Sequence, residues 1–530
     1  MIKSTLSNSR RLTALVGIVL ACYSLCSFSG ESAPIEQFDI TQYDVQGNTL
    51  LGAQDIELML RPFTGKSKDF GSVQMALETL QAAYRAKGYD LVNVALPEQE
   101  LNHGVVKFKV IEYKVGKVLV SGNKFFTDAN IKDSLPAVQE GQIPVMRDIS
   151  ANVKVANEDP SKKTSVQLQS GSDEGYVNVL LKVEDQKPWS VAVGVDDTGD
   201  ELTGRNRLSV VVQNANVGGW DHVLSMQYTT SFAHPNDVNV YGIGYHIPLY
   251  ALRDSMDFYG SYSNVNSGTV TAGVFDVAVS GSGTVAGMRY NHNTLRAGDY
   301  DSTISTGIDY KIFNNDLSVE DQGIGGNVVV HPLYVTYVGN WAVTGSALNF
   351  SASIARNIPG GNNSSQADFE TARAGATPNY DIVRVGASFL KILPADWQFR
   401  LSATGQFTPD ALVSGEQLGV GGMGSVRGFT EREVAGDKGH TANVELYTFN
   451  FCSGAAQCRI LSFYDTGYVA RNDPLPGEIA HQSLGSAGFG IRLTRTPDWL
   501  LIADIAHVVD AVTTTEKGTN RVDFKLVYTF

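Results

Sequence analysis

Apolar and polar positions follow two regimes along the chain. Over residues 36–187 the apolar spacing switches between two and three-to-four residues, and the switch occurs twice. The first round predicts a strand from Phe38 to Val45 and a helical stretch around Asp55–Leu60, stopped by Pro62. Val73, Ala76, Leu77, Leu80 and Tyr84 then predict an amphipathic helix ending at Gly88, followed by strands at Leu91–Leu96 and through Val106, Phe108 and Val110. The second round predicts a strand over Val115–Val120, helical stretches at Thr127–Leu135 and Asp148–Asn157, and strands at Ser165–Gln169 and Tyr176–Val183.

The turn after each opening strand recurs, as Gln46-Gly47-Asn48 and Ser121-Gly122-Asn123. A strand–helix–helix–strand–strand unit occurring twice is a repeat, giving α+β domains over 34–113 and 114–187. Each three-stranded sheet leaves an edge that can accept an extended peptide by strand addition. Two inert spacer domains fit the same pattern.

From Pro188 to Phe530 the helical period disappears. Segments of about ten residues alternate with period two, parted by Gly/Asn/Asp turns, as in a transmembrane antiparallel β-barrel. Leu224, Met226 and Tyr228 alternate with Ser225, Gln227 and Thr229; Trp397, Phe399, Leu401 and Ala403 alternate with Gln398, Arg400, Ser402 and Thr404. The last strand sets Val522, Phe524, Leu526, Tyr528 and Phe530 on one face and Asp523, Lys525 and Thr529 on the other. An aromatic terminus inside a strand suits a barrel, whose last strand must pair with its first to leave no edge in lipid. Residues 188–530 divide into about sixteen strands, an even number. Turns such as 216–219 and 495–498 are short, and segments such as 357–378 and 408–438 are long. A soluble sandwich array or propeller would explain the alternation but not the polar inner face.

Composition narrows the choice. The net charge is −14 with 18% charged residues and no basic run, so nucleic acid is not an expected partner. Mean hydropathy is −0.09, and beyond the N-terminus no apolar run approaches the ~20 residues of a spanning helix. Lys3, Arg10 and Arg11 followed by an apolar run from Leu12 predict a secretory signal peptide over 1–33; a lipobox at Cys22 fits only loosely. Cys22 and Cys26 leave with the signal. Cys452 and Cys458 remain and, in an exported chain, predict a disulfide stapling a hairpin turn.

One stretch carries the candidate chemistry: Gly421-Gly422-Met423-Gly424-Ser425-Val426-Arg427-Gly428-Phe429, in the long segment 408–438. Four glycines allow positive φ and close approach to a wall, and an arginine inside a barrel seeks a carboxylate.

Paired small βααββ units ahead of an exported barrel resemble polypeptide-transport-associated (POTRA) domains. Val426-Arg427-Gly428-Phe429 is similar to the VRG-aromatic loop motif of the outer-membrane polypeptide-transporter superfamily, and Phe463-Tyr464-Asp465-Thr466-Gly467 to its F-x-D-x-G strand motif. Two POTRA-like units rather than a longer array resemble two-partner secretion transporters of the haemolysin-secretion type. That resemblance implies a lumen loop whose Arg427 pairs with Asp465. It implies protein transport in the bacterial outer membrane, with POTRA domains in the periplasm binding an unfolded, β-helical partner exoprotein that crosses to the cell surface. It also implies contact with outer-membrane lipid, delivery by periplasmic chaperones and the barrel-assembly machinery with Phe530 as assembly signal, and no cofactor. Such transporters often carry an N-terminal plug helix. Few residues separate the cleavage site from Phe38, so loop 408–438 is the expected obstruction. The alternative is an assembly factor that inserts other barrels; a third reading is a passive pore.

Asp197-Thr198-Gly199 and Asp465-Thr466-Gly467 echo the paired loops of an aspartic protease. One ends the first barrel strand and the other lies within a strand, which disfavours that reading. The glycine spacing fails a dinucleotide site, and no catalytic motif is found, so an enzyme is not expected.

Overall fold

The computed structural model describes residues 36–530 except 200–202, 266–267, 273–274, 280–281, 295, 315–317, 320–321 and 324–325. The expected signal peptide, with Cys22 and Cys26, lies outside the described residues. The chain forms two compact units. One runs to Lys87 and takes in Val92–Glu112; the other comprises Gly88–Leu91 and Tyr113–Phe530.

In the first unit the central strand Val105–Glu112 pairs in parallel with Gln42–Gln46 and antiparallel with Val92–Ala95. Helices Ala53–Leu60 and Phe70–Ala86 bury Ile56, Leu60, Val73, Ala76, Leu80 and Tyr84. Asp69 caps the longer helix, accepting from the Ser72 N–H at 2.8 Å. The expected single strand Phe38–Val45 is broken at Thr41. Phe38–Ile40 instead pairs antiparallel with Gly65–Lys68, a segment of small and cationic side chains with no apolar position to signal a strand.

The second unit opens with the same topology. Tyr176–Asp185 pairs in parallel with Lys114–Ser121 and antiparallel with Lys162–Ser170, under helices Asp128–Asp133 and Met146–Ala156. The repeated turn has one physical basis in both places. Gly47 and Gly122 adopt φ of 86° and 90°, and a Cβ on either would lie 2.4 or 2.3 Å from the carbonyl oxygen of Val110 or Val183. Asn48 and Asn123 then donate to the carbonyls of Leu51 and Phe126 at 3.3 and 2.9 Å. A carboxylate from the end of the central strand receives the following amides: Glu112 those of Thr49 and Leu50, Asp185 those of Lys124, Phe125 and Phe126.

Trp189 begins a closed antiparallel barrel of sixteen strands, one of which is interrupted at His331 between Val328–Val330 and Pro332–Val343. Closure joins Asn520–Thr529 to Trp189–Asp196, in register from Lys525 opposite Asp196 to Thr529 opposite Ala192. Phe530 extends it, its N–H donating to Val191 at 2.8 Å. Apolar side chains such as Met226, Ile243, Leu401, Phe489 and Leu526 are exposed, while Ser225, Gln406, Glu445, Asp504 and Asp523 are buried. That inversion of a soluble protein is what lipid outside and a polar lumen inside require.

Within the second unit, the βααββ domain of Lys114–Asp185 sits at the short-turn end of the barrel. Asp221, in the turn after Arg207–Val217, forms a buried ion pair with Lys162 and accepts from Asn130 and from the Tyr250 hydroxyl at 2.6 Å each. The long connections, including 408–438, leave the opposite end.

Candidate functional site: a lumen loop tied to the barrel wall

The connection between strands Gln398–Phe407 and Lys438–Tyr447 folds into the lumen as a hairpin, with Leu418–Val420 antiparallel to Val434–Gly436. At its tip Gly421, Gly422 and Gly428 take φ of 119°, 97° and 91°. A Cβ on Gly422 would meet the Glu431 carboxyl carbon at 2.2 Å, and one on Gly428 the Ala506 Cβ at 3.1 Å. Gly424 differs from the expectation for all four: it has no positive φ and open space around it.

These turns place Arg427 against the wall. Its Nε and Nη2 donate to the two oxygens of Asp465 at 2.7 Å each, and its backbone N–H adds a bond at 3.2 Å. Nη1 reaches Glu445 at 2.9 Å and Asp504 at 3.8 Å. The guanidinium carbon lies 3.5 Å from the centre of the Phe463 ring, so the first aromatic of the strand motif serves as a cation–π floor. The side chains of Arg427 and Asp465 are 4% and 0% exposed. A pair so placed resists the loss of either member, at about 3–5 kcal/mol, because Asp465 would be left without a cation and Arg427 without its bidentate partner.

The apolar neighbours act with the pair. Val426 and Phe429 are buried with Val420, Val434, Val469, Leu484 and Val508. Gly467 is required by this packing, since a Cβ there would lie 2.5 Å from Val420 Cγ1. Alternating parity thus puts Phe463, Asp465 and Gly467 on the inner face, where the first two meet Arg427 and the third meets Val420 and Val426.

Several participants were not singled out from the sequence. Asn443, directly opposite Asp465 in the ladder, donates to the Asp465 carboxylate at 2.9 Å and to the Ser425 carbonyl at 2.5 Å. Glu445 and Asp504 balance Arg400 and Arg492, the latter bonded to Asp504 at 2.8 and 2.9 Å. The available signal was parity, because each is a charged or amide side chain on an inward-facing position of its strand. Below the tip, Glu416 is buried against Lys311 at 2.9 Å and Arg384 at 3.1 Å. A cavity of about 470 Å³ remains between this arm and the wall, bordered by Tyr259, Arg289 and Arg432.

The other expected site residues lie elsewhere. Cys452, in the short-turn connection, is bonded to Cys458, the second residue of strand Gln457–Ala470, with Cα atoms 5.3 Å apart. Phe530 is at the closing seam. Asp197 accepts from the Phe524 N–H at 2.8 Å and Asp465 holds Arg427, so the two Asp-Thr-Gly segments have separate partners. Among the described residues no group of His, Cys, Asp and Glu is arranged to hold a metal ion.

The chain is similar to known proteins. The family model described as haemolysin secretion/activation protein ShlB/FhaC/HecB matches residues 175–493, and that of the ShlB-type POTRA domain matches 38–112. The heme/hemopexin transporter protein HuxB of Haemophilus influenzae (strain 86-028NP) is 22% identical over 492 residues, covering 89% of this chain and 84% of the relative. The outer membrane transporter CdiB of Escherichia coli is 23% identical over 415 residues, covering 77% and 68%. The solved structure of CdiB from Escherichia coli superposes with a TM-score of 0.77 at 20% identity, covering 96% of this chain and 93% of that one. With more than half of its length matched by one family model, the chain belongs to the haemolysin secretion/activation family, and it is an outer-membrane β-barrel transporter of two-partner secretion that exports an exoprotein from the periplasm, where its POTRA region lies.

Proposed function

We propose that the lumen loop is the closure of the export path and that release of Arg427 from Asp465 opens it. The observation that carries this reading is the buried bidentate pair at the tip of a hairpin lying across the lumen. One ion pair is a suitable latch: it holds firmly in a dehydrated site, yet one competing charge or a little water weakens it.

Capture begins in the first unit, where a segment of the unfolded exoprotein adds as a strand beside Gln42–Gln46. This strand is paired on one side within its sheet and faces helix Ala53–Leu60 across a cavity of about 410 Å³ bordered by Tyr43, Val45, Ile56 and Leu60. Backbone pairing supplies affinity with little sequence demand, and the cavity takes alternate side chains. Burial raises the Tyr43 hydroxyl to about 12, so it stays neutral in any periplasm. The exoprotein then threads past the displaced loop, and its folding outside makes passage directional. No step in this sequence requires bond chemistry by the chain.

The test pairs secretion with conductance. Arg427→Ala should alter export of the partner exoprotein while a heat-modifiable barrel still inserts, and the purified chain should show more frequent channel openings. Unchanged export and unchanged openings would sink the closure reading.

A further inference from the structure

Every contact described above for the hairpin tip leaves open where the loop pivots. We propose that Arg373 and Asp437 are positioning residues that clamp the neck of the lumen loop, so that only Leu418–Gly436 swings during export. This rests on the closure reading and adds to it a fixed base.

The clamp is a convergence of four segments on one buried carboxylate. Asp437, 0% exposed at its side chain, stands where the returning arm of the hairpin enters strand Lys438–Tyr447. It accepts from the Leu412 N–H at 2.9 Å and the Gln417 side-chain amide at 3.1 Å, tying the outgoing arm to the returning one. The Asn472 N–H donates to it at 2.7 Å from the neighbouring surface connection. Asn472 in turn donates to the carbonyls of Thr408 and Asp410 at 3.0 and 2.8 Å. Arg373 completes the set: it forms an ion pair with Asp437 through both terminal nitrogens, one of them at 2.9 Å, and donates to the carbonyls of Leu412 and Asn472 at 2.5 and 3.1 Å.

Arg373 is itself fixed. It ends helix Gln366–Ala372, whose start is closed by a reciprocal capping box between Ser365 and Asp368. Phe369 of that helix is buried with Leu412 and Val413 of the neck. Both arms of the loop are therefore held to the exterior end of the barrel by a charge-assisted network with an apolar floor, and Glu416 adds its own grip on Lys311 and Arg384. Above and below this level the contacts differ in kind. The tip is held by the Arg427 ion pairs, by Asn443 on the Ser425 carbonyl, by the Thr514 hydroxyl on Glu433 and by apolar packing, whereas the neck is bound by several backbone and side-chain bonds that converge on one buried carboxylate. A hinge falls at the few element-terminal positions where a rigid base meets the segment that moves.

Single-channel recording on the purified full-length chain separates the two roles. Arg427→Ala alone should raise opening frequency about tenfold or more, the step size staying that of a hairpin swinging on a fixed neck. Adding Arg373→Ala should then raise the step size about twofold, because the arms leave the lumen as well. Heat-modifiable migration checks that each barrel is folded. If Arg373→Ala does not insert, the isosteric Asp437→Asn carries the same comparison. Equal step sizes in the single and double variants overturn the clamp while leaving the latch intact. An opening frequency unchanged by Arg427→Ala removes the closure reading, and the clamp with it.

Discussion

Arg356 and Arg427 grip their carboxylates in nearly the same way. Arg356 donates through Nε and Nη2 to Asp381 at 2.8 and 2.6 Å; Arg427 uses the same two nitrogens on Asp465 at 2.7 Å each. What separates them is water. The first pair, at the exterior end of neighbouring strands, has side chains 74% and 41% exposed, against 4% and 0% for the second. Exposed partners that part are each rehydrated, so the bond geometry counts for little. In the lumen neither charge has water to return to, so the same geometry becomes a lock. Bidentate geometry alone does not identify a functional pair; burial at the tip of a loop does.

The sharpest way to break this contrast is Asp465→Ala. It leaves the Arg427 guanidinium with Glu445 and Asp504 alone, and should cost the tip about 3–5 kcal/mol. Hydrogen exchange of the 421–429 amides in the intact chain reads the effect directly. Combining it with Arg427→Ala should cost less than the two single losses together, because no orphan charge remains. Strict additivity would mean that the two side chains do not act as a pair.

A smaller effect is expected from crowding the apolar part of the lock. Gly467→Ala puts a Cβ 2.5 Å from Val420 Cγ1, and overpacking of this kind costs about 1–3 kcal/mol. Val420→Ala should relieve it. Gly424→Ala, with open space around it, is the control and should leave the exchange of the tip unchanged. If Gly467→Ala is equally silent, the tip is held by charge alone.

A third carboxylate sharpens the comparison from the periplasmic side. Asp185 holds its turn through three backbone amides rather than one guanidinium. Burial alone would raise its carboxyl, but the bonds from Phe125, Lys124 and Phe126 outweigh burial and draw it below the usual value. A depressed folded value means its stabilisation is present above the ordinary carboxylate range and is lost as pH falls through that lower value. Exchange at the 124–126 amides should therefore quicken on acidification toward about pH 4 and below, after correction for intrinsic rates. Asp185→Asn should flatten that dependence. A pH dependence that survives the substitution would assign it to another group.

How much of this was legible beforehand follows from where the information is local. The repeated turn could be read from Gly47-Asn48 and Gly122-Asn123 because its geometry is set within a few residues. The barrel was legible because strand parity is a property of the strand itself. Arg427 and Asp465 were singled out through two short motifs, and the structure brings them together. Asn443, Glu445 and Asp504 were missed, although their parity faces them inward, because the strand register and barrel closure that gather them around Arg427 and Asp465 are nonlocal. Helix Gln366–Ala372 was missed inside a segment read only as a long loop. The Arg373–Asp437 pair spans 64 positions with no motif at either end, so only the fold could join it.

The weakest perturbation tests the premise of the comparison most severely. Arg356→Ala removes two well-formed bonds to Asp381, and counting bonds would rank it with the loss of Arg427. Both partners sit at the mouth of the barrel, where Arg356 lies opposite Asp381 across the Ser346–Asn357 and Asp381–Ile392 ladder. Backbone pairing there does not depend on the side chains, and the freed Asp381 is already partly hydrated. Folded fraction, hydrogen exchange of the 421–429 tip and opening frequency should all match the parent chain, with a slight salt dependence as the only trace. If Arg356→Ala instead loosened the tip as Asp465→Ala does, burial would not be what distinguishes the two pairs, and the latch would have to be sought in the strand ladder that connects them.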